Sequence, residues 1–260
     1  MKSDMHICVC HFFIVLLQAE KAIHPMTVLY EDNHIIAVNK TCNEIVQGDK
    51  TGDTPLSEIV KAYIKDKYNK PGEVFLGVPH RLDRPTSGVV LFARTSKALT
   101  RLNEMFKEKS IGSNQQQSIK KTYWAIVQGE PKQPEARLEN YLVRNEAQNK
   151  SYIVEGRKSK DAKLAILNYR TLAKGDHYTL LEVNLETGRH HQIRCQLAAI
   201  GCPVKGDLKY GAKRSNPDGG ICLHARKIEF VHPVSKQDIC ITAPVPNDAT
   251  WQRFNELVEE

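Results

Sequence analysis

Apolar and polar positions alternate through the chain in short blocks. Two apolar runs, 27–30 and 35–39, flank the polar stretch Glu31-Asp32-Asn33-His34, the pattern of a hairpin with a four-residue connection. Leu56, Ile59, Val60, Tyr63 and Ile64 then repeat at helical spacing, with Thr54 as a cap, Pro55 at the first helical position and a stop at Asn69-Lys70-Pro71-Gly72. Residues 88–93 form a continuous apolar run, expected as a buried strand. After it, Leu99, Leu102, Met105 and Phe106 make one apolar stripe of a helix capped by Ser96. Residues 110–118, with Gly112, Asn114 and three glutamines, are expected as a loop. Further strands are expected at 121–127, 164–170, 178–185, 226–231 and 237–243. Helices are expected around 193–200, closed by Gly201 and Pro203, and around 251–258. Strands and helices do not alternate regularly and no internal repeat is present. The expectation is an α+β fold with a mixed, largely antiparallel sheet.

The 260 residues carry 37 Lys+Arg against 30 Asp+Glu, a net charge of +7, which favours a polyanionic partner without specifying it. The seven cysteines are odd in number and irregularly spaced, so no disulfide framework is legible and reduced thiols in a cytoplasmic protein are expected. The apolar stretch 7–17 is too short to span a bilayer as a helix, and Asp4 falls where a signal peptide would be basic. Residues 1–25 are expected to be an N-terminal extension outside the catalytic domain, and residues 26–260 to be that domain. His190, His191, Cys195, Cys202, Cys222 and His224 invite a zinc site, but there is no C-x-x-C pair and Cys222-x-His224 is not a usual zinc spacing, so no metal is expected.

The chemistry concentrates in His80-Arg81-Leu82-Asp83-Arg84-Pro85-Thr86-Ser87-Gly88. Proline disfavours the helical region for the residue before it, which leaves Asp83 on an extended or turned loop entering a strand. An ionised carboxylate presented in that way can act as nucleophile or base. Read from the residues alone, the segment could equally be a proline turn with a surface ion pair.

This string resembles the H-R-L-D-x-x-T-S-G signature of RluA-like RNA pseudouridine synthases. Lys121-x-Tyr123-x-Ala125-x-Val127-x-Gly129 and Thr187-Gly188-Arg189-His190-His191-Gln192-Ile193-Arg194 resemble further segments of that family. Gly206-Asp207, Tyr210-Gly211, Leu223-His224-Ala225, His232-Pro233 and Ala243-Pro244-x-Pro246 follow in the family's order. The resemblance runs from about Met26 to the C-terminus. It departs from the family's Lys-Pro-x-Gly at Lys40-Thr41-Cys42-Asn43, carries what looks like an insertion at 112–118, and has Gln196 where a histidine is usual.

The resemblance implies isomerisation of specific uridines in structured RNA, ribosomal or transfer, in a central cleft and without a cofactor. It implies Asp83 as the catalytic carboxylate, Arg189 as its salt-bridge partner and Tyr123 as the aromatic face for the uracil. His80, Arg81, Arg84 and Arg194 are expected to contact RNA, with Arg81 the candidate to fill the hole left by a flipped base. RNA is the expected partner, with no membrane and no obligate protein partner, and the protein is expected to be a monomer. A non-catalytic RNA-binding protein on the same fold is the alternative.

Overall fold

The structure, a computed structural model, describes residues 26–107, 119–156 and 160–259. The extension 1–25 and the whole of the expected 110–118 loop lie outside these residues. Ten strands join in one sheet: β1 (Thr27–Glu31), β2 (Ile35–Lys40), β3 (Ser87–Ala93), β4 (Lys120–Gln128), β5 (Glu135–Asn145), β6 (Lys150–Val154), β7 (Lys163–Lys174), β8 (Tyr178–Leu185), β9 (Leu223–Val231) and β10 (Asp238–Thr242). Their order is β1-β2-β3-β9-β4-β8-β7-β5-β6, with β10 also paired to β9. Every pairing is antiparallel except β3–β9, a short parallel seam of Ser87↔His224 and Gly88↔Ala225. This is the mixed, mostly antiparallel α+β architecture expected.

The period-2 alternation of β2 and β3 places two sets of side chains on opposite faces. Ile35, Ala37, Val89, Leu91 and Ala93 pack with Ala98 and Leu102 of α2 (Ser96–Phe106). Ile36, Val38, Val90 and Phe92 pack with Leu56, Val60 and Ile64 of α1 (Leu56–Lys67). Both faces of β3 are therefore covered, which is why its seven residues are all buried and its sequence is a continuous apolar run. In the other half of the sheet, Trp124, Ile126, Leu180 and Val183 pack with Leu197 of α3 (Gln192–Ala199) and with Trp251 and Phe254 of α4 (Ala249–Glu259).

Two helix starts differ from expectation. Pro55 itself occupies the N-cap of α1, and Thr54 does not cap it. The first free N–H groups, of Leu56 and Ser57, are taken by the carbonyls of Ile45 and Val46, so no side-chain cap is required. Thr95, not Ser96, caps α2, accepting from Ala98 N at 3.2 Å. Gly201 (φ 83°) follows α3 in the left-handed region, as its sequence position predicts. The hairpin of β5 and β6, for which no element was expected, lies at the outer edge of the sheet.

The seam between β3 and β9 explains Gly88. Its φ is 113°, and a Cβ there would sit 2.5 Å from Ala225 N. No other residue permits both that conformation and that approach. Ser87 Oγ meets buried His224 Nδ1 at 2.8 Å beside it, and Pro85 O accepts from Ile221 N at 3.0 Å.

Candidate active site

Asp83 sits on the loop that leads into the seam. Its carbonyl accepts from Thr86 N at 3.0 Å, which gives the turn that Pro85 predicts. The loop is fastened from beneath by Lys40, the last residue of β2, whose side chain is fully buried. Its ammonium donates to the carbonyls of Thr41 (2.9 Å), Arg84 (3.0 Å) and Thr86 (2.7 Å). Burial pulls the Lys40 pKa down to about 8, opposed by the charges of Glu44 and Asp83 among others. Where the family pattern has Pro-x-Gly, Asn43 takes the left-handed conformation (φ 70°), which asparagine tolerates, and its N–H donates to Arg84 O at 3.0 Å. The departure at 41–43 therefore keeps the turn and its link to the loop.

The opposite wall comes from the N-terminal turn of α3. His191 precedes the helix in the left-handed conformation (φ 52°). This sharp entry directs Arg194 inward from the first turn. Arg194 Nη1 lies 3.1 Å from Asp83 Oδ2, and its Nε and Nη2 contact Asp207 at 2.6 and 2.9 Å. Asp207 is 1% exposed and Asp83 33% exposed, as side chains. Arg194 thus spans a sealed carboxylate and an open one. Burial opposes its charge, but the two carboxylates outweigh that and raise its pKa above the ordinary arginine value.

His191 Nε2 is 3.4 Å from the same Asp83 oxygen, and its Nδ1 is 3.1 Å from Tyr210 Oη. Burial drives the His191 pKa down to about 3 against the pull of Asp83, so the ring is neutral at neutral pH. The contact with Asp83 is then a polar contact of a neutral imidazole, not an ion pair. His190 stacks on His191 at 3.8 Å between centroids and meets Ser151 Oγ at 2.9 Å.

Tyr123 enters from β4, where a bulge between Thr122 and Tyr123 shifts its register against β9. Bulges of this kind re-aim a side chain. Burial, and after it the negative charge of Asp83, pushes its phenol well above the ordinary tyrosine range. It is a neutral hydroxyl and ring near the carboxylate.

Several expected roles change. The ion pair with Asp83 is made by Arg194, where Arg189 was expected. Arg189 lies in the turn before α3, where its Nε donates to Leu164 O at 2.8 Å and its backbone N–H to Gln192 Oε1 at 2.9 Å. Arg194, expected to contact RNA, is buried and held by two carboxylates. His80 also turns inward. Its Nε2 accepts from Leu91 N at 2.9 Å, its ring stacks on Phe106 at 4.5 Å, and burial lowers its pKa to about 3. It braces the loop from β3. Arg84 is engaged with the 49–53 loop, donating to Asp53 at 2.7 Å and Thr51 Oγ1 at 2.8 Å. Arg81 is exposed and makes no hydrogen bond or ion pair among the described residues. Gln196, at the position of the family's histidine, is fully buried and ties α3 to Asn140 Oδ1 (2.7 Å) and Ala165 O (3.2 Å).

Lys40 and Asp207 are the residues whose roles the sequence did not disclose. Each stood in a segment compared with the family's motifs, but only the tertiary contacts give them work. Among the described residues no helix is long and apolar enough to cross a membrane.

Known proteins resemble this chain in sequence and in fold. The RNA pseudouridylate synthase family matches residues 34–199. The chain is 32% identical to ribosomal large subunit pseudouridine synthase D of Xanthomonas campestris pv. campestris, over 91% of this chain and 70% of that protein. It is 31% identical to the uncharacterized RNA pseudouridine synthase YhcT of Bacillus subtilis, over 86% of this chain and 70% of that one. The solved structure of human RNA pseudouridylate synthase domain containing 4 superposes with a TM-score of 0.71 at 21% identity, over 90% of this chain and 93% of that one, a likeness of fold. The chain belongs to the RNA pseudouridine synthases, enzymes that isomerise uridine within RNA.

Proposed function

We propose that Asp83 is the carboxylate that drives this isomerisation, and that its substrate is a uridine in ribosomal or transfer RNA in the cytoplasm. The observation that carries the reading is the chain Asp83–Arg194–Asp207. A buried acid fixes a guanidinium, and the guanidinium fixes an open carboxylate. Charge preorganised around the reacting group is a main resource for catalysis.

The reaction breaks the C1′–N1 bond of uridine, turns the uracil, and joins C1′ to C5, with the C5 proton leaving to solvent and N1 taking one up. Atoms and electrons balance without an oxidant or a hydrolytic water. Asp83 supplies the nucleophile or base that opens the glycosidic bond. Arg194 orients it. Tyr123 offers a ring for the uracil to lie on and a hydroxyl that stays protonated, so it donates and does not act as a phenolate base. The target uridine leaves its stack to reach Asp83. Arg81, exposed two residues away, is placed to enter the vacated stack or to meet a phosphate. The relatives named for the large ribosomal subunit, from Xanthomonas campestris and Xylella fastidiosa, favour ribosomal RNA within this class.

The test is release of tritium from [5-³H]uridine-labelled RNA taken from cells lacking the gene. Wild-type protein should release tritium without freeing uracil. Asp83→Asn should release none while its RNA affinity stays within about twofold. A variant active near the wild-type rate would remove Asp83 from this role.

A further inference from the structure

A hollow lies between the β5–β6 hairpin, α3 and the 208–210 turn. It has a volume of about 500 Å³, and Lys150, Tyr152, Ile153, Leu208, Lys209 and Tyr210 are among its lining residues, none of which is acidic. Two features set it apart from ordinary surface. Tyr152 and Leu208 are 40% and 58% exposed and are two of the four large apolar side chains left open among the described residues. Apolar groups gathered at one open hollow mark a contact surface. Two ammonium groups stand at the same place. Lys150 Nζ lies 5.2 Å from the centroid of the Tyr152 ring and 5.1 Å from that of Tyr210. Lys209 Nζ donates to Gln148 O and Asn149 O at 3.3 and 3.1 Å, which ties the tip of the β5–β6 hairpin to the 208–210 turn as one rim.

The hollow adjoins the active site through one residue. Tyr210 lines it, and its hydroxyl meets His191 Nδ1 at 3.1 Å. The Arg194 guanidinium sits 5.2 Å from the centroid of the same ring. Both of these partners contact Asp83.

We propose that this hollow is a nucleotide subsite, which takes an unstacked base of the RNA close to the flipped uridine. The base lies on Tyr152 and Leu208, and its phosphate meets Lys150 and Lys209. The proposal rests on Asp83 marking where the target uridine sits. An aromatic ring beside paired cations is the means by which proteins hold single-stranded nucleotides. Extruding a uridine breaks the stack on either side of it, so unstacked neighbours are at hand. A protein partner fits less well, because lysine is depleted at the centre of protein interfaces.

Steady-state tritium release decides the matter, with [5-³H]uridine-labelled ribosomal and transfer RNA from cells lacking the gene as the probe. Tyr152→Ala should raise KM about tenfold, the loss of one base stack, and leave kcat within about twofold. Tyr152→Phe keeps the ring and should restore KM. Lys150→Gln should raise KM and flatten the salt dependence of binding by about one unit of log–log slope. A wild-type KM for Tyr152→Ala, or equal losses in the Ala and Phe variants, would overturn the subsite. A protein partner would then be the better occupant. Failure of the wild-type protein to release tritium would instead overturn the functional reading, so the two failures are separable.

Discussion

Arg194 gives Asp207 two hydrogen bonds, at 2.6 and 2.9 Å, and Asp83 one, at 3.1 Å. The sealed acid has the firmer hold, and the open acid borrows its geometry from it. Asp207→Asn keeps the shape and removes the charge. It should lower kcat about 10²-fold, the scale of a misplaced reacting group, with KM little changed. Stability should fall by about 3 kcal/mol, because the buried arginine loses its main counter-charge. Steady-state kinetics and a urea melt check both. A kcat within twofold of wild type would mean that Asp83 is held by something else.

Lys40 gives a prediction of a different kind. Replacing it with methionine leaves the carbonyls of Thr41, Arg84 and Thr86 without their shared donor. Stability should fall by about 2–4 kcal/mol, the cost of stranded buried acceptors. The loop carrying Asp83 should loosen, with kcat reduced more than RNA affinity. Methionine tolerated without a shift in the urea midpoint would contradict the fastening role.

Arg81→Gln changes an exposed side chain and should leave the melting temperature unaltered. We expect kcat/KM to fall about tenfold, on the scale of a lost charged contact to RNA. If the loss comes with a log–log salt slope smaller by about one, Arg81 meets a phosphate. If the slope is kept and kcat falls, it fills the vacated stack. Unchanged kinetics would take it out of the site.

Acid should destabilise the protein before its carboxylates titrate. Burial holds His80 and His191 at about 3 and His224 at about 4 in the folded state, against about 6.5 when unfolded. The unfolded chain therefore binds more protons between those values. The contribution of these rings is complete above about pH 6.5 and is lost as the pH falls toward 4 and 3. Thermal unfolding at pH 5, in buffers of different protonation enthalpy, should show net proton uptake. A midpoint flat from pH 7 to 5 would mean that these rings are not neutral in the native protein.

The elements were legible in the sequence where one local pattern decides them. The first hairpin and the buried run of β3 follow from where the apolar runs fall, and the stripe of α2 from periodicity. The β5–β6 hairpin did not, because its burial is mostly partial and its charged residues break up the apolar pattern. At the site, the motif that carries Asp83 was plain, but the choice between Arg189 and Arg194 was not. Which arginine faces Asp83 is set by the left-handed entry at His191, and that depends on where the helix starts. The contacts of His80 were not legible either, because its partners, Phe106 and the Leu91 backbone, are distant in sequence.

The parallel seam has a consequence for how the enzyme comes into being. It joins two groups of strands through only two residue pairs, and the chemistry straddles it. Asp83 and Lys40 belong to one side, while Tyr123, Arg194 and Asp207 belong to the other. A partly folded chain with one side formed alone carries either Asp83 without its guanidinium or that guanidinium without Asp83, and is chemically silent. Turnover during refolding should therefore appear only when the two sides dock, which makes catalysis a reporter of the last long-range step in assembling the sheet.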